Sequence, residues 1–85
     1  MLTEEILLTR GFIRVDVPEE ESGDQAFYYF EKEWGSISLI TNDNLEAREE
    51  GWIVEFFEEP NMKFDHIHEL ATICNIFDDC YKTEE

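Results

Sequence analysis

Two stretches of this 85-residue chain, 25-QAFYYFEK-32 and 52-WIVEFFE-58, carry large apolar side chains at odd and even positions alike. In a β-strand successive side chains point to opposite faces, so such strands turn apolar surface to both sides of a sheet. Tyr28 and Phe30 then share one face, and Phe27 and Tyr29 the other. Likewise Trp52, Val54 and Phe56 fall on one side, and Ile53, Glu55 and Phe57 on the other. The fold must cover at least one of these faces, and few residues remain to cover the second.

The rest of the chain supplies two more strands and two helices. Thr3 is placed to cap a short helix whose first turn holds Glu4 and Glu5, where negative charge is favourable. Arg10 sits in its last turn and Gly11 is placed to end it. Phe12 to Val17 alternates, with Ile13, Val15 and Val17 on one face, as a half-buried strand requires. Pro18 stops that strand and Glu19 to Asp24 reads as a polar turn. In Gly35 to Thr41, Ile37 and Leu39 point one way, Ser36 and Ser38 the other. Asn42-Asp43-Asn44 is a turn signal, and Asn44 to Gly51 fits a helical turn. Glu59-Pro60-Asn61 is read as the end of the last strand.

The closing segment has helical period. Ile67, Leu70, Ala71, Cys74, Phe77 and Tyr81 form one stripe, with Asp65 as N-cap and Glu69 in the early turns. These elements predict a single α+β domain over residues 1–85, in the order α-β-β-β-β-α. Short connections without crossover helices make the sheet a four-stranded antiparallel meander. The short N-terminal helix and the longer C-terminal helix pack on one face of it. The second face is covered by loops and by the long side chains of Arg14 and Lys32, or it is a partner surface.

Charge narrows the function classes. Six Lys and Arg stand against 22 Asp and Glu, a net charge of −16. Direct binding to nucleic acid or to an anionic membrane is not expected, because such contacts are built on Lys and Arg. Seven Phe, three Tyr and two Trp favour a folded core over disorder. The stretch 1-MLTEEILLTRGF-12 has neither a basic n-region nor a long apolar run, so no signal peptide is expected. No segment approaches the roughly 20 apolar residues of a membrane-spanning helix. A cytoplasmic location follows as the expectation.

Candidate chemistry concentrates in 64-FDHIHELATICNIFDDC-80. On one helix His66 and His68 lie about 200° apart, so their rings diverge. CxxC is absent, and no pair here has the i, i+4 spacing of a helical zinc pair. Cys74 and Cys80 are separated by about 9 Å of helical rise, beyond disulfide reach. Cys74 falls in the apolar stripe and reads as a small core residue, and two free thiols fit a reducing compartment. Glu31, Glu33, Glu55, Glu58 and Glu59 could face one another at the sheet edges, but nothing fixes a partner base or a ligand geometry among them. No catalytic residue, metal ligand or cofactor is assigned.

Three features carry a resemblance: Gly11-Phe12 after a short helix, the strand Trp52-Ile53-Val54, and a helix opening on His68-Glu69-Leu70. Together they make the chain similar to small uncharacterised proteins of Bacteroidetes prophages and conjugative elements. After Leu70 those relatives often continue with Gln-Asn-Leu, where this chain has Ala71-Thr72-Ile73. The resemblance implies a mobile-element gene and an accessory role, and it assigns an activity to no residue.

Three function hypotheses remain. The first is a non-catalytic protein-binding module, as a homodimer or with another protein, acting through the sheet's edge or its second face at Phe27, Tyr29, Ile53 and Phe57. The second is an acidic nucleic-acid mimic that occupies a host DNA-binding protein or nuclease, through Glu19, Glu20 and Glu21, Glu49 and Glu50, and Glu58 and Glu59. The third is a metal-dependent enzyme built from carboxylates and His66 or His68, which the ligand spacing disfavours.

Overall fold

The computed structural model describes residues 2–80. Helix α1 spans Glu4–Thr9. The Thr3 hydroxyl accepts the Ile6 N–H at 3.2 Å, as the cap position predicts. At its other end Gly11 takes φ +93°, a conformation open to glycine and strained for other residues. Phe12 N–H then reaches back to Leu7 C=O, and Gly11 N–H to Leu8 C=O, each at 3.0 Å. This is the Schellman pattern, and it lays Phe12 against Leu7 in the core.

Strand β1 (Ile13–Val17) pairs antiparallel with β2 (Phe27–Trp34), in register Val15 to Tyr29 and Val17 to Phe27. The segment read as a polar turn contains one helical turn, α2 (Glu19–Ser22), closed by Gly23 at φ 78°. β2 turns through Gly35-Ser36 into β3 (Ile37–Thr41). Gly35 has φ +58°, the sign that a II′ hairpin turn requires at its first central residue. Helix α3 (Asn44–Glu50) is capped by Asp43, whose carboxylate accepts the Glu46 N–H at 2.8 Å.

Among the described residues the sheet has five strands, where the sequence predicts four. β4 is only Val54–Phe56, and the chain reverses at Phe57-Glu58. It then returns as β5 (Glu59–Phe64), pairing Val54 with Phe64 and Glu55 with Lys63. In the sequence Pro60 marks a strand end, because proline cannot donate to a ladder. An edge strand tolerates that loss, and β5 is an edge. The sheet order is β1-β2-β3-β4-β5, antiparallel throughout, with α4 (Ile67–Cys80) closing the described chain.

Both α1 and α4 pack on one face, as the sequence predicts. Tyr28, Phe30, Lys32 and Trp34 of β2 point to that face, with Leu39 and Thr41 of β3 and Val54 of β4. Phe30, Leu39, Val54, Leu7, Leu70 and Cys74 are fully buried there. Phe77 of α4 lies on Trp34 and Phe56, with ring centroids 5.1 and 6.0 Å apart. Asp78 accepts the Trp34 indole N–H at 2.7 Å and lies 3.8 Å from the Lys32 ammonium, which ties α4 to β2. Tyr81, the last residue of the expected stripe, lies outside the described residues.

Candidate interaction surface

The face away from the helices is built by the other phase of each strand. β1 places Ile13, Val15 and Val17 there, β2 Phe27, Tyr29, Glu31 and Glu33, and β3 Ser38 and Ile40. Register sets Val15 opposite Tyr29, Val17 opposite Phe27, and Glu31 between Ile13 and Ile40. Ile13 is 65% exposed, and Val15, Val17, Phe27, Tyr29 and Ile40 are half-buried. None of these residues belongs to the core cluster that holds the buried side chains of α1 and α4. The result is an apolar patch with Glu31 and Glu33 beside it, and with Glu55 opposite Lys63 further along the sheet.

Register orients β1, and it corrects one expectation about this face. The alternation of β1 marks an apolar side, and that side faces away from the helices. Strand alternation has two phases, and the pairing of Val15 with Tyr29 selects the uncovered one. Nor do Arg14 and Lys32 shield this face, because their register places them on the helix side. There the Arg14 guanidinium lies 3.7 Å from the Tyr28 ring centroid and bonds Asp16 at 2.9 Å. The Lys32 ammonium lies 5.1 Å from the Trp34 ring centroid.

Register spreads the four residues assigned to a partner surface over different segments and both ends of the sheet. Phe27 and Tyr29 stand together, joined by the β1 residues and Ile40, which the sequence reading left out. Ile53 precedes β4 and is held to Asn42 by two hydrogen bonds: its N–H donates to the side-chain Oδ1 at 3.0 Å, and its C=O accepts the Asn42 backbone N–H at 3.2 Å. It borders a recess with Glu46, Glu50, Glu55 and Lys63. Phe57, 63% exposed, sits in the β4–β5 turn at the end of the sheet opposite Phe27.

The acidic residues divide between the same two ends. Glu19, Glu20 and Glu21 lie in the β1–β2 connection, and Glu49 and Glu50 in the β3–β4 connection, at one end. Glu58 and Glu59 lie at the other, in and after the β4–β5 turn. All seven are exposed.

The histidines depart from expectation. Their rings stack, with centroids 5.2 Å apart and planes 24° from parallel. The helix begins at Ile67, so His66 precedes it and escapes the 100° helical step that would have separated the rings. His66 Nδ1 accepts the His68 N–H at 3.4 Å, taking the capping place assigned to Asp65. Among the described residues no group of three His, Cys, Asp or Glu side chains could hold a metal ion. Cys74 is buried and Cys80 exposed, both as free thiols, and burial pushes the Cys74 thiol up.

A cleft of about 420 Å³ lies between the β1–β2 end and the start of α3. Its ionisable groups are Arg14 and Asp16, already paired with each other, and Tyr28. The Tyr28 phenol donates to a Glu4 carboxylate oxygen, and that bond, then burial, raises its pKa. No described helix is long and apolar enough to cross a membrane. Compared with family models, with curated proteins and with solved structures, the chain matches none.

Proposed function

We propose that this protein is a non-catalytic protein-binding module whose working surface is the open sheet face centred on Val15, Val17, Phe27 and Tyr29. The orientation of β1 carries the reading. A strand that turns its three aliphatic residues away from the helices, beside two aromatics, leaves apolar surface that a partner would bury. Glu31 and Glu33 beside the patch favour a partner with basic groups around an apolar centre. On this reading the chain is an accessory protein of the prophage or conjugative-element kind, working in the cytoplasm without a cofactor.

The test is affinity capture from host cells with identification of the retained protein, using wild type and the double variant Phe27→Ser, Tyr29→Ser. A partner held by wild type at about 0.5 M salt, and lost by a variant with an unchanged melt, supports the reading. Equal retention by both proteins overturns it. A second reading, the acidic nucleic-acid mimic, draws on the five exposed glutamates gathered at one end of the sheet. Its partner would be a DNA-binding protein, and its binding would collapse as salt rises.

A further inference from the structure

The two edges of the sheet are protected unequally. β5 carries Pro60 and Lys63, two of the devices by which edge strands avoid pairing with other chains. β1 is the other edge, and no described strand lies beyond it. Its sequence, Ile13-Arg14-Val15-Asp16-Val17, holds neither proline nor a bulge and pairs in unbroken register with β2.

That sequence is complementary to its own reversal. Set antiparallel to a second copy with Val15 opposite Val15, it places Ile13 opposite Val17 and Arg14 opposite Asp16, twice over. The neighbouring registers fail. A shift that centres the pairing on residue 14 puts Arg14 against Arg14, and one centred on residue 16 puts Asp16 against Asp16. A slip of one residue sets the charged side of one copy beside the apolar side of the other. Opposite charges directly across a strand pair are favourable and like charges are not, so one register is selected. Arg14 and Asp16 already bond within the strand, yet their side chains remain 49% and 67% exposed. They are open to a second partner of opposite sign.

We infer that β1 pairs with β1 of a second copy about a two-fold axis at Val15, joining the two sheets into one of ten strands. The inference builds on the open-face reading, because the joined sheet presents Ile13, Val15 and Val17 of both copies as one continuous apolar strip. An isologous contact of this kind closes on itself and yields a dimer, not a filament. Each copy carries a net charge of −16, so long-range repulsion opposes the pairing at low ionic strength. Salt should therefore strengthen this dimer, whereas it weakens contacts made mainly of ion pairs.

Sedimentation equilibrium at rising salt tests this, with folding of each variant checked by its melt. Wild type should move toward about twice the 10.1 kDa of one chain as salt rises. Arg14→Asp and Asp16→Arg should each weaken self-association by about tenfold or more, because each sets like charges across the axis. Mixing those two variants should restore association, since every cross-strand pair is then opposite in sign. A wild type that stays monomeric at all salt concentrations overturns the inference. So does a dimer indifferent to single charge reversal, or a mixture that fails to associate. A strict monomer that still loses a captured partner through Phe27→Ser, Tyr29→Ser refutes the edge pairing and leaves the open-face reading standing. An edge dimer with no partner on that face does the reverse.

Discussion

Tyr29 and Phe30 are neighbours in β2 and stand on opposite faces of the sheet. Phe30 is fully buried, meeting Trp52 edge to face at 5.3 Å beneath α1 and α4. Tyr29 stands opposite Val15, outside the core cluster that holds Phe30. Both faces hold aromatic and aliphatic residues, so residue type does not decide which becomes core. The helices decide it. One face holds the molecule together, and the other keeps apolar surface that a partner covers on the proposed function.

The largest effects should come from the covered face. Phe30→Ala should cost about 3–5 kcal/mol and Leu70→Ala about 2–5 kcal/mol, as for fully buried side chains. Small domains have only about 5–15 kcal/mol in total, so urea denaturation should find the midpoints of both variants sharply lowered. Phe77→Ala should cost less, about 2–3 kcal/mol, because the ring is only partly buried against Trp34 and Phe56. An equal loss for Phe77 and Leu70 would mean that α4 sits more deeply than described.

Gly11→Ala should cost about 1–2 kcal/mol in the same denaturation assay. Its φ of +93° strains any residue with a Cβ, and that atom would lie 2.6 Å from the Lys32 ammonium. The tip of Lys32 can swing aside, so the backbone conformation accounts for most of the loss.

Alkaline stability tests the polar contact between α1 and the covered face. The Tyr28 phenol is raised above its ordinary value of 10.0, chiefly because it donates to Glu4. A group that holds its proton more tightly when folded contributes stability below its unfolded pKa and loses it as pH rises through the folded value. Wild type should therefore lose stability more steeply above pH 10 than Tyr28→Phe does. Cys74, raised by burial, acts in the same direction in both proteins and cancels in the comparison. Parallel pH profiles would show that the bond to Glu4 does not persist in solution.

The smallest effect belongs to the histidine pair. Changing His66 and His68 together to Gln should cost about 1 kcal/mol or less, as for exposed side chains without a buried partner. Thermal melts with and without added zinc would measure this. A large loss, or a zinc-dependent rise in wild type alone, would give the stacked rings a role not assigned to them here.

Much of this arrangement is legible in the sequence, and the failures have physical causes. The phase of β2 follows from Trp34, Phe30 and Tyr28, which share the face that the helical stripe of Leu70, Cys74 and Phe77 must cover. The phase of β1 does not follow, because Ile13, Val15 and Val17 fit a covered or an uncovered face equally well until register with Tyr29 is known. β5 escaped because Pro60 marks both strand ends and tolerated edge positions. His66 was misplaced by a single residue at the helix start, which is enough to change a divergent pair into a stacked one. Phe27 and Tyr29 could be assigned to the second face, but Ile40 could not, since an isolated apolar residue among Ser36, Ser38 and Thr41 carries no signal until its strand neighbours are fixed.

The account rests on Tyr29 serving a partner and Phe30 serving the core, and one paired measurement addresses that directly. Tyr29→Ser and Phe30→Ser would be compared for melting temperature and, in the folded fraction, for retention of a captured partner. Tyr29→Ser should melt within a few degrees of wild type, as expected for a change of about 1 kcal/mol or less, and should lose the partner. Phe30→Ser should fail to fold. If Tyr29→Ser instead unfolds as Phe30→Ser does, or folds and keeps the partner, the open face is not the working surface.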